Sequence, residues 1–217
     1  MESNKDYGKI RREYLGAPLD LDQLHLDPIV QFQAWFEDAL SAAVIEPNAV
    51  SLATVDDRGM PDVRIVLFKG LSEGKITFFT NYNSKKALEM KQNSGIALVF
   101  FWAELARQVR VRGKVTLLSR AESDEYFQSR PRYSQIAAWA SAQSKVLTNR
   151  KELEDNFAFY LKKFGEEAPV PTPEDWGGYA LQATEWEFWQ GRENRMHDRF
   201  RYSLQEKDQF SIERLNP

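Results

Sequence analysis

Apolar residues recur at helical spacing between positions 28 and 45. Val30, Phe32, Trp35, Phe36, Ala39, Leu40 and Ala43 follow Asp27-Pro28, an N-cap and first helical residue, and predict a helix to about Ile45, with Pro47 as its stop. From Val50 the period drops to two. A β-rich run over 50–55, the turn Asp56-Asp57-Arg58-Gly59 and a second run over 63–68 predict a hairpin. A turn over 72–74 leads into a strand over 76–80. Ser84 then reads as the cap of a short helix ending near Asn93-Ser94-Gly95, and strand character resumes over 96–102. Residues 107–115 alternate strictly, with Val109, Val111, Gly113 and Val115 on one face and Gln108, Arg110, Arg112 and Lys114 on the other. Residues 120–164 read mainly as helices, broken at Ser129-Arg130-Pro131-Arg132, and 168–173 is a proline-rich connection. After Gly177-Gly178 the β pattern returns through 186–189, and a last hairpin pairs residues near 199–204 with 209–215.

The predicted organisation is a polar N-terminal arm over 1–27 and one domain over 28–217, with a helical insertion at about 120–164. Strands joined by short turns, with helices inserted late, predict a mainly β, antiparallel barrel or sheet decorated by helices and argue against a doubly wound α/β fold.

Composition narrows the chemistry. With 29 Lys+Arg against 32 Asp+Glu the net charge is -3, which argues against a generally basic nucleic-acid binder. There are no cysteines, so disulfides, iron–sulfur clusters and thiol nucleophiles are excluded. The two histidines, His25 and His197, belong to no spaced ligand cluster, and the expected metal content is none. No GxxxxGK[ST], GxGxxG or GxSxG motif occurs. The first residues are too polar for a signal peptide and no apolar run approaches the roughly 20 residues of a membrane helix, so the expectation is a cytoplasmic protein without a membrane partner.

Anion binding must then rest on other devices. Ser84-Lys85-Lys86 at a helix start offers unpaired N–H groups, a hydroxyl and two ammonium groups to a phosphate; solvated surface lysines fit the same run. Arg64 and Lys69 fall on opposite faces if their strand stays regular, which suits two different anions, although strand-edge charges serve equally. Arg130 and Arg132 flank Pro131. In an extended conformation Arg195, His197 and Arg199 share one face, a crowding of cationic and titratable groups that an anion would relieve; His197 reads equally as a structural histidine.

Seven motifs in order carry a resemblance: Arg11-Arg12-Glu13-Tyr14; Arg64-Ile65-Val66-Leu67-Phe68-Lys69; Phe79-Thr80-Asn81 with Ser84-Lys85-Lys86-Ala87; Arg107-Gln108-Val109; Tyr126-Phe127-Gln128-Ser129-Arg130-Pro131-Arg132 with Ser134-Gln135-Ile136; Gln143-Ser144; and Phe188-Trp189-Gln190-Gly191 through Arg195-Met196-His197-Asp198-Arg199. The sequence resembles the pyridoxamine 5′-phosphate oxidases. The resemblance implies an FMN-binding split β-barrel homodimer, with FMN at the interface, that oxidises pyridoxamine or pyridoxine 5′-phosphate to pyridoxal 5′-phosphate while dioxygen yields hydrogen peroxide. It assigns Arg64, Lys85 and Lys86 to the flavin phosphate. Ile65, Val66, Leu67, Phe68, Lys69, Phe79, Thr80, Gln108, Gln143, Ser144, Trp189 and Arg199 complete the cofactor site. Lys69, Tyr126, Arg130 and Ser134 hold the substrate phosphate, with Arg11, Arg12, Glu13, Tyr14 and Met196 on the substrate side. By the same resemblance Arg195 and His197 would be the catalytic pair, lying over the substrate ring. Lys85 stands where many members carry Arg, and the 191–194 loop is less typical than its flanks. A non-catalytic flavin or pyridoxal-phosphate carrier of the same fold is the alternative. The paired Arg195 and His197 argue against it. A split-barrel reductase with another flavin or substrate fits the arm and the 129–132 stretch less well, and a pyridoxal-phosphate-dependent enzyme would need a Schiff-base lysine for which no candidate stands out.

Overall fold

The structure is a computed structural model in which residues 6–9 and 13–217 are described, so Arg11 and Arg12 of the arm motif lie outside the described residues. In chain order the elements are α1 (Pro28–Ser41), β1 (Ala49–Val55), β2 (Pro61–Leu67), β3 (Gly70–Ser72), β4 (Lys75–Asn81), α2 (Lys85–Gln92), β5 (Gly95–Trp102), β6 (Arg107–Leu117), α3 (Arg120–Ser129), α4 (Arg132–Ala140), α5 (Arg150–Phe164), β7 (Trp176–Gln190), β8 (Asp198–Leu204) and β9 (Phe210–Arg214). The strands are ordered β2-β1-β5-β6-β7-β4-β3, with β8 on β7 and β9 on β8. The pairs β1–β2, β3–β4, β4–β7, β7–β8 and β8–β9 are antiparallel. Contacts divide the chain into one unit of Met1–Pro47, Val99–Val111 and Glu185–Pro217 and another of Asn48–Leu98 and Arg112–Thr184; β5, β6 and β7 thread through both.

In the first unit α1 starts as its sequence dictates, the Asp27 carboxylate accepting the Ile29 N–H at 2.8 Å ahead of Pro28. It stops at Ser41, earlier than the apolar spacing predicts. Ala43 takes a left-handed φ of 51°, and the Val44 N–H returns to the Ala39 carbonyl at 3.1 Å, which buries Val44 beside the helix end. The buried stripe Phe32, Trp35 and Ala39 meets an aromatic core: the Phe32 ring lies 5.0 Å from Phe100 and 5.5 Å from Trp186, and Trp35 stands edge-on to Phe188.

In the second unit the predicted hairpin closes with Val55 opposite Pro61 and Leu52 opposite Arg64. Strand β6, whose residues 107–111 belong to the first unit and 112–117 to the second, keeps its alternation, with Val109, Val111 and Val115 buried and Arg110, Arg112 and Lys114 exposed. Gly177-Gly178 does not precede a strand but lies within β7. A Cβ at Gly177 would sit 2.1 Å from the Tyr82 hydroxyl and one at Gly178 would sit 2.4 Å from Leu118, so these glycines admit close packing where punctuation was expected. Helices α3, α4 and α5 fill the predicted helical stretch, with Phe127, Ile136, Val170 and Trp176 forming their core.

Candidate active site

A cleft of about 470 Å³ opens in the second unit. Strand β4 brings Phe79 and Thr80 to it, the first turn of α2 brings Lys86, α3 brings Tyr126, and the α3–α4 break brings Arg130 and Ser134; Lys69 and Gln143 arrive from loops. The aromatic floor is layered. Phe79 stacks on Tyr126 at 3.9 Å and on Trp176 at 5.5 Å, and the Arg130 guanidinium lies 4.7 Å from the Trp176 ring centre.

Lys86 is buried, which removes the surface-lysine reading for that residue. Among the described residues its ammonium donates to neutral oxygens only: Thr80 Oγ1 at 3.2 Å, Ser84 Oγ at 3.3 Å and Gln143 Oε1 at 3.4 Å. Burial, and then the charge of Arg64, lower its pKa below the usual lysine value. Ser84 therefore occupies the cap position of α2 without a side-chain cap bond, because its hydroxyl turns to Thr80 and Lys86. Arg130 Nη1 is buried without a hydrogen-bond partner, and burial lowers the pKa of its guanidinium. Lys69 lies 5.9 Å from the Tyr126 ring centre. Among the described residues none of these three cations has a carboxylate within ion-pair distance.

Other basic residues of this unit are occupied. Lys85 is exposed and donates to Asp62 at 2.7 Å, and Arg64 is tied to Asp62, Glu89 and Thr54. Arg132 is structural: its guanidinium donates to the carbonyls of Phe164, Gly165 and Ala168, which tie down the end of α5. Arg64 and Lys69 do diverge, Lys69 facing the cleft and Arg64 the acidic pair. Strand alternation is not the reason, since β2 ends at Leu67 and Lys69 stands in the following loop.

The first unit gathers the remaining candidates. Rings of Tyr14, Trp189 and His197 meet at 4.7–5.9 Å. His197 Nδ1 accepts the Arg192 N–H at 3.0 Å, so the neutral ring carries its proton on Nε2. Burial first, and Arg195 second, lower the His197 pKa below the usual histidine value against an opposing effect of Asp198. The expected common strand face of Arg195, His197 and Arg199 is not formed. Asn194 and Arg195 take left-handed φ of 54° and 61° in a short 3-10 turn, and β8 starts only at Asp198. Arg195 and Met196 are exposed, whereas Arg199 is held by the buried Glu187 at 2.9 and 3.0 Å. Gln108 lies half-buried on β6, and Ser144 is exposed with a φ of 69°.

Residues 36–160 match the family described as pyridoxamine 5′-phosphate oxidase, and residues 176–217 match the pyridoxine 5′-phosphate oxidase C-terminal dimerisation region. A pyridoxine/pyridoxamine 5′-phosphate oxidase of Rippkaea orientalis is 46% identical over 98% of this chain and 100% of that protein; one of Salinibacter ruber is 48% identical over 96% and 97%. The chain belongs to the pyridoxine/pyridoxamine 5′-phosphate oxidase family. PhzG from Burkholderia lata 383, solved in complex with tetrahydrophenazine-1-carboxylic acid, superposes with a TM-score of 0.86 at 27% identity over 93% of this chain and 99% of its own. A pyridoxamine 5′-phosphate oxidase-related, FMN binding protein of Nostoc punctiforme PCC 73102 shares the fold at a TM-score of 0.72 and 18% identity, over 89% of this chain and 100% of its own. The fold is the antiparallel split barrel of this oxidase family. Among the described residues no helix is long and apolar enough to cross a membrane, and no group of three or more His, Asp or Glu is placed to hold a metal.

The sequence did not point to the acids that pair with these basic residues. Glu89 carried a usable signal, standing four residues after Lys85 on a predicted helix. Glu187 and Asp62 carried none, because their partners come from other strands and helices. Trp176, under Arg130, was hidden beside the proline-rich connection.

Proposed function

We propose that the chain is a cytoplasmic, homodimeric, FMN-dependent oxidase that converts pyridoxine 5′-phosphate and pyridoxamine 5′-phosphate to pyridoxal 5′-phosphate. Dioxygen becomes hydrogen peroxide, and the amine substrate also consumes water and releases ammonia. The observation that carries this reading is Lys69, Lys86 and Arg130 on one cleft with no carboxylate in ion-pair range among the described residues. Of the three, Lys86 is buried, Arg130 half-buried and Lys69 exposed; a buried cation without counter-charge is costly, and a phosphate dianion relieves that cost with charge-assisted hydrogen bonds. Membership of the family and the match to its dimerisation region support the activity and the dimer.

The donors divide between two phosphates. Lys86, backed by Thr80, Ser84 and Gln143, suits the flavin phosphate with Arg64 and Lys85; Lys69, Tyr126, Arg130 and Ser134 suit that of the substrate. The 65–68 segment, Phe79, Gln108, Ser144, Trp189 and Arg199 would complete the flavin site, with FMN between two copies. FMN, when bound, supplies the hydride acceptor and passes the electrons to dioxygen. The chain's own tasks are to anchor the substrate by its phosphate, which fixes the position of the reacting carbon, and to orient the rest of the molecule. Arg195 offers a cation to charge that develops in the transition state. His197, with Nδ1 already accepting from Arg192, offers a donor at Nε2 and so positions the substrate without taking its proton. Tyr14, Glu13 and Met196, with Arg11 and Arg12, are assigned to the substrate side.

The test is to add pyridoxine 5′-phosphate and pyridoxamine 5′-phosphate separately to the purified chain loaded with FMN. The expected result is pyridoxal 5′-phosphate and hydrogen peroxide in equal amounts from each. A flavin-loaded protein that turns over neither would overturn the oxidase reading in favour of a carrier, and a chain that stays colourless with excess FMN would overturn the cofactor.

A further inference from the structure

Two of the cations assigned above to the flavin phosphate already share an anion. Asp62 Oδ2 accepts from Lys85 Nζ at 2.7 Å and lies 2.8 Å from Arg64 Nη2, while its Oδ1 accepts the Val63 N–H at 2.8 Å. A second acid, Glu89, touches the same pair: Oε2 accepts from Thr54 Oγ1 at 2.5 Å and from Arg64 Nη2 at 3.2 Å, and Oε1 lies 3.6 Å from Lys85 Nζ.

The two carboxylates are placed differently. The Glu89 side chain is 5% exposed and held by a neighbouring strand, whereas that of Asp62 is 35% exposed on β2, a strand with only one neighbour in the sheet. One is a fixed support and the other has room to leave. A single oxygen bridging a guanidinium and an ammonium is also what a phosphate oxygen would do there. Charge on the site points the same way. Arg64, Lys85 and Lys86 repel one another, Lys86 hydrogen-bonds only to neutral groups among the described residues, and Asp62 is the accessible counter-ion that lowers this repulsion.

We propose that Asp62 is a displaceable stand-in for the cofactor phosphate, holding Arg64 and Lys85 until the phosphate takes them over, while Glu89 supports Arg64 in both states. The proposal rests on reading Arg64, Lys85 and Lys86 as the flavin phosphate site. Its consequence is a trade: Asp62 steadies the flavin-free protein and weakens FMN binding, because the carboxylate must yield its two partners and then stand beside a dianion.

The experiment uses the full chain freed of flavin and titrated with FMN and with riboflavin, which lacks the phosphate, following flavin fluorescence, alongside thermal unfolding without flavin. Asp62→Asn should lower the Kd for FMN by about fivefold or more, leave that for riboflavin unchanged, and lower the flavin-free Tm. Asp62→Ser, which cannot retain the carboxamide contacts, should do the same. Glu89→Gln should raise the Kd for FMN. Weaker or unchanged FMN binding in both Asp62 variants overturns the proposal, as does equal tightening of riboflavin. A wild-type chain that binds riboflavin and FMN equally overturns the phosphate-site reading and the proposal together.

Discussion

In the unit of residues 48–98 and 112–184, Lys69, Lys86 and Arg130 face a cleft and have no carboxylate partner among the described residues. In the unit that contains residues 185–217, Arg110 and Arg199 rest on Glu187, Arg192 on Asp198, and Arg214 on Asp198 and Asp20. The side chains are alike in charge and differ in what neutralises them. Where the chain supplies both partners from structural positions, as for Arg110, Arg192 and Arg214, the pair fixes local structure. Where it supplies only the cation and buries it, as at Lys86, the lone charge subtracts from stability, which is the ground for the proposed phosphate ligand. Arg195 departs from its own region: exposed on a left-handed turn, it makes no ion pair among the described residues.

That departure gives the largest expected effect. Arg195→Met should lower kcat/KM for pyridoxine 5′-phosphate by about a hundredfold or more while FMN content stays normal. Steady-state kinetics near the wild-type value would return Arg195 to the ordinary solvated arginines. Next, Glu187→Gln should destabilise the protein by about 1–3 kcal/mol in urea unfolding, since it weakens two charge-assisted pairs at a buried carboxylate. No loss of stability would mean that the paired arginines are not structural.

On the other side of the comparison, Arg130→Ala should raise the KM for the phosphorylated substrate by about tenfold or more, with flavin retained. Loss of flavin instead would merge the two proposed phosphate sites. Lys86→Met should do the reverse of a normal core substitution, raising the stability of the flavin-free chain by about 1 kcal/mol while abolishing FMN binding. The sign follows from its lowered pKa: the cost of the buried ammonium is present in full below that lowered value and is gone above the ordinary 10.5, so the variant should also lose the gain in stability that the wild type shows over that alkaline window. The smallest effect belongs to His197, whose pKa is likewise lowered. Its contribution to stability is fully present above 6.5 and lost as pH falls through the folded value, so His197→Gln should flatten the acid limb of a Tm-against-pH curve slightly. An unchanged curve would mean that burial of the ring has no energetic weight.

The elements were largely legible because they depend on local pattern. The 50–55 and 63–68 runs, the 107–115 alternation, the break at Pro131 and the last hairpin all appear within a residue or two of their predicted places. The exceptions have tertiary causes: Ala43 turns early to bury Val44, and Gly177-Gly178 sits inside a strand to make room for Tyr82, Phe79 and Leu118. For the site, residue types at motif spacing were enough to mark Ser84-Lys85-Lys86 and the residues around Pro131 as anion-binding candidates. They could not separate Lys86, buried among neutral oxygens, from Lys85, spent on Asp62, nor Arg130, lining the cleft, from Arg132, spent on three carbonyls at the end of α5.

Amino-acid order thus determined the periods, the caps and turns, the family motifs and the absence of cysteine chemistry, all of which follow from neighbours along the chain. Only tertiary structure decided which cations are neutralised by a carboxylate and which, among the described residues, are not. Gln143 reaches Lys86 across 57 positions, Glu89 reaches Arg64 across 25 and Glu187 reaches Arg110 across 77, and the field at a buried charge is set by whatever folding brings within a few ångströms of it.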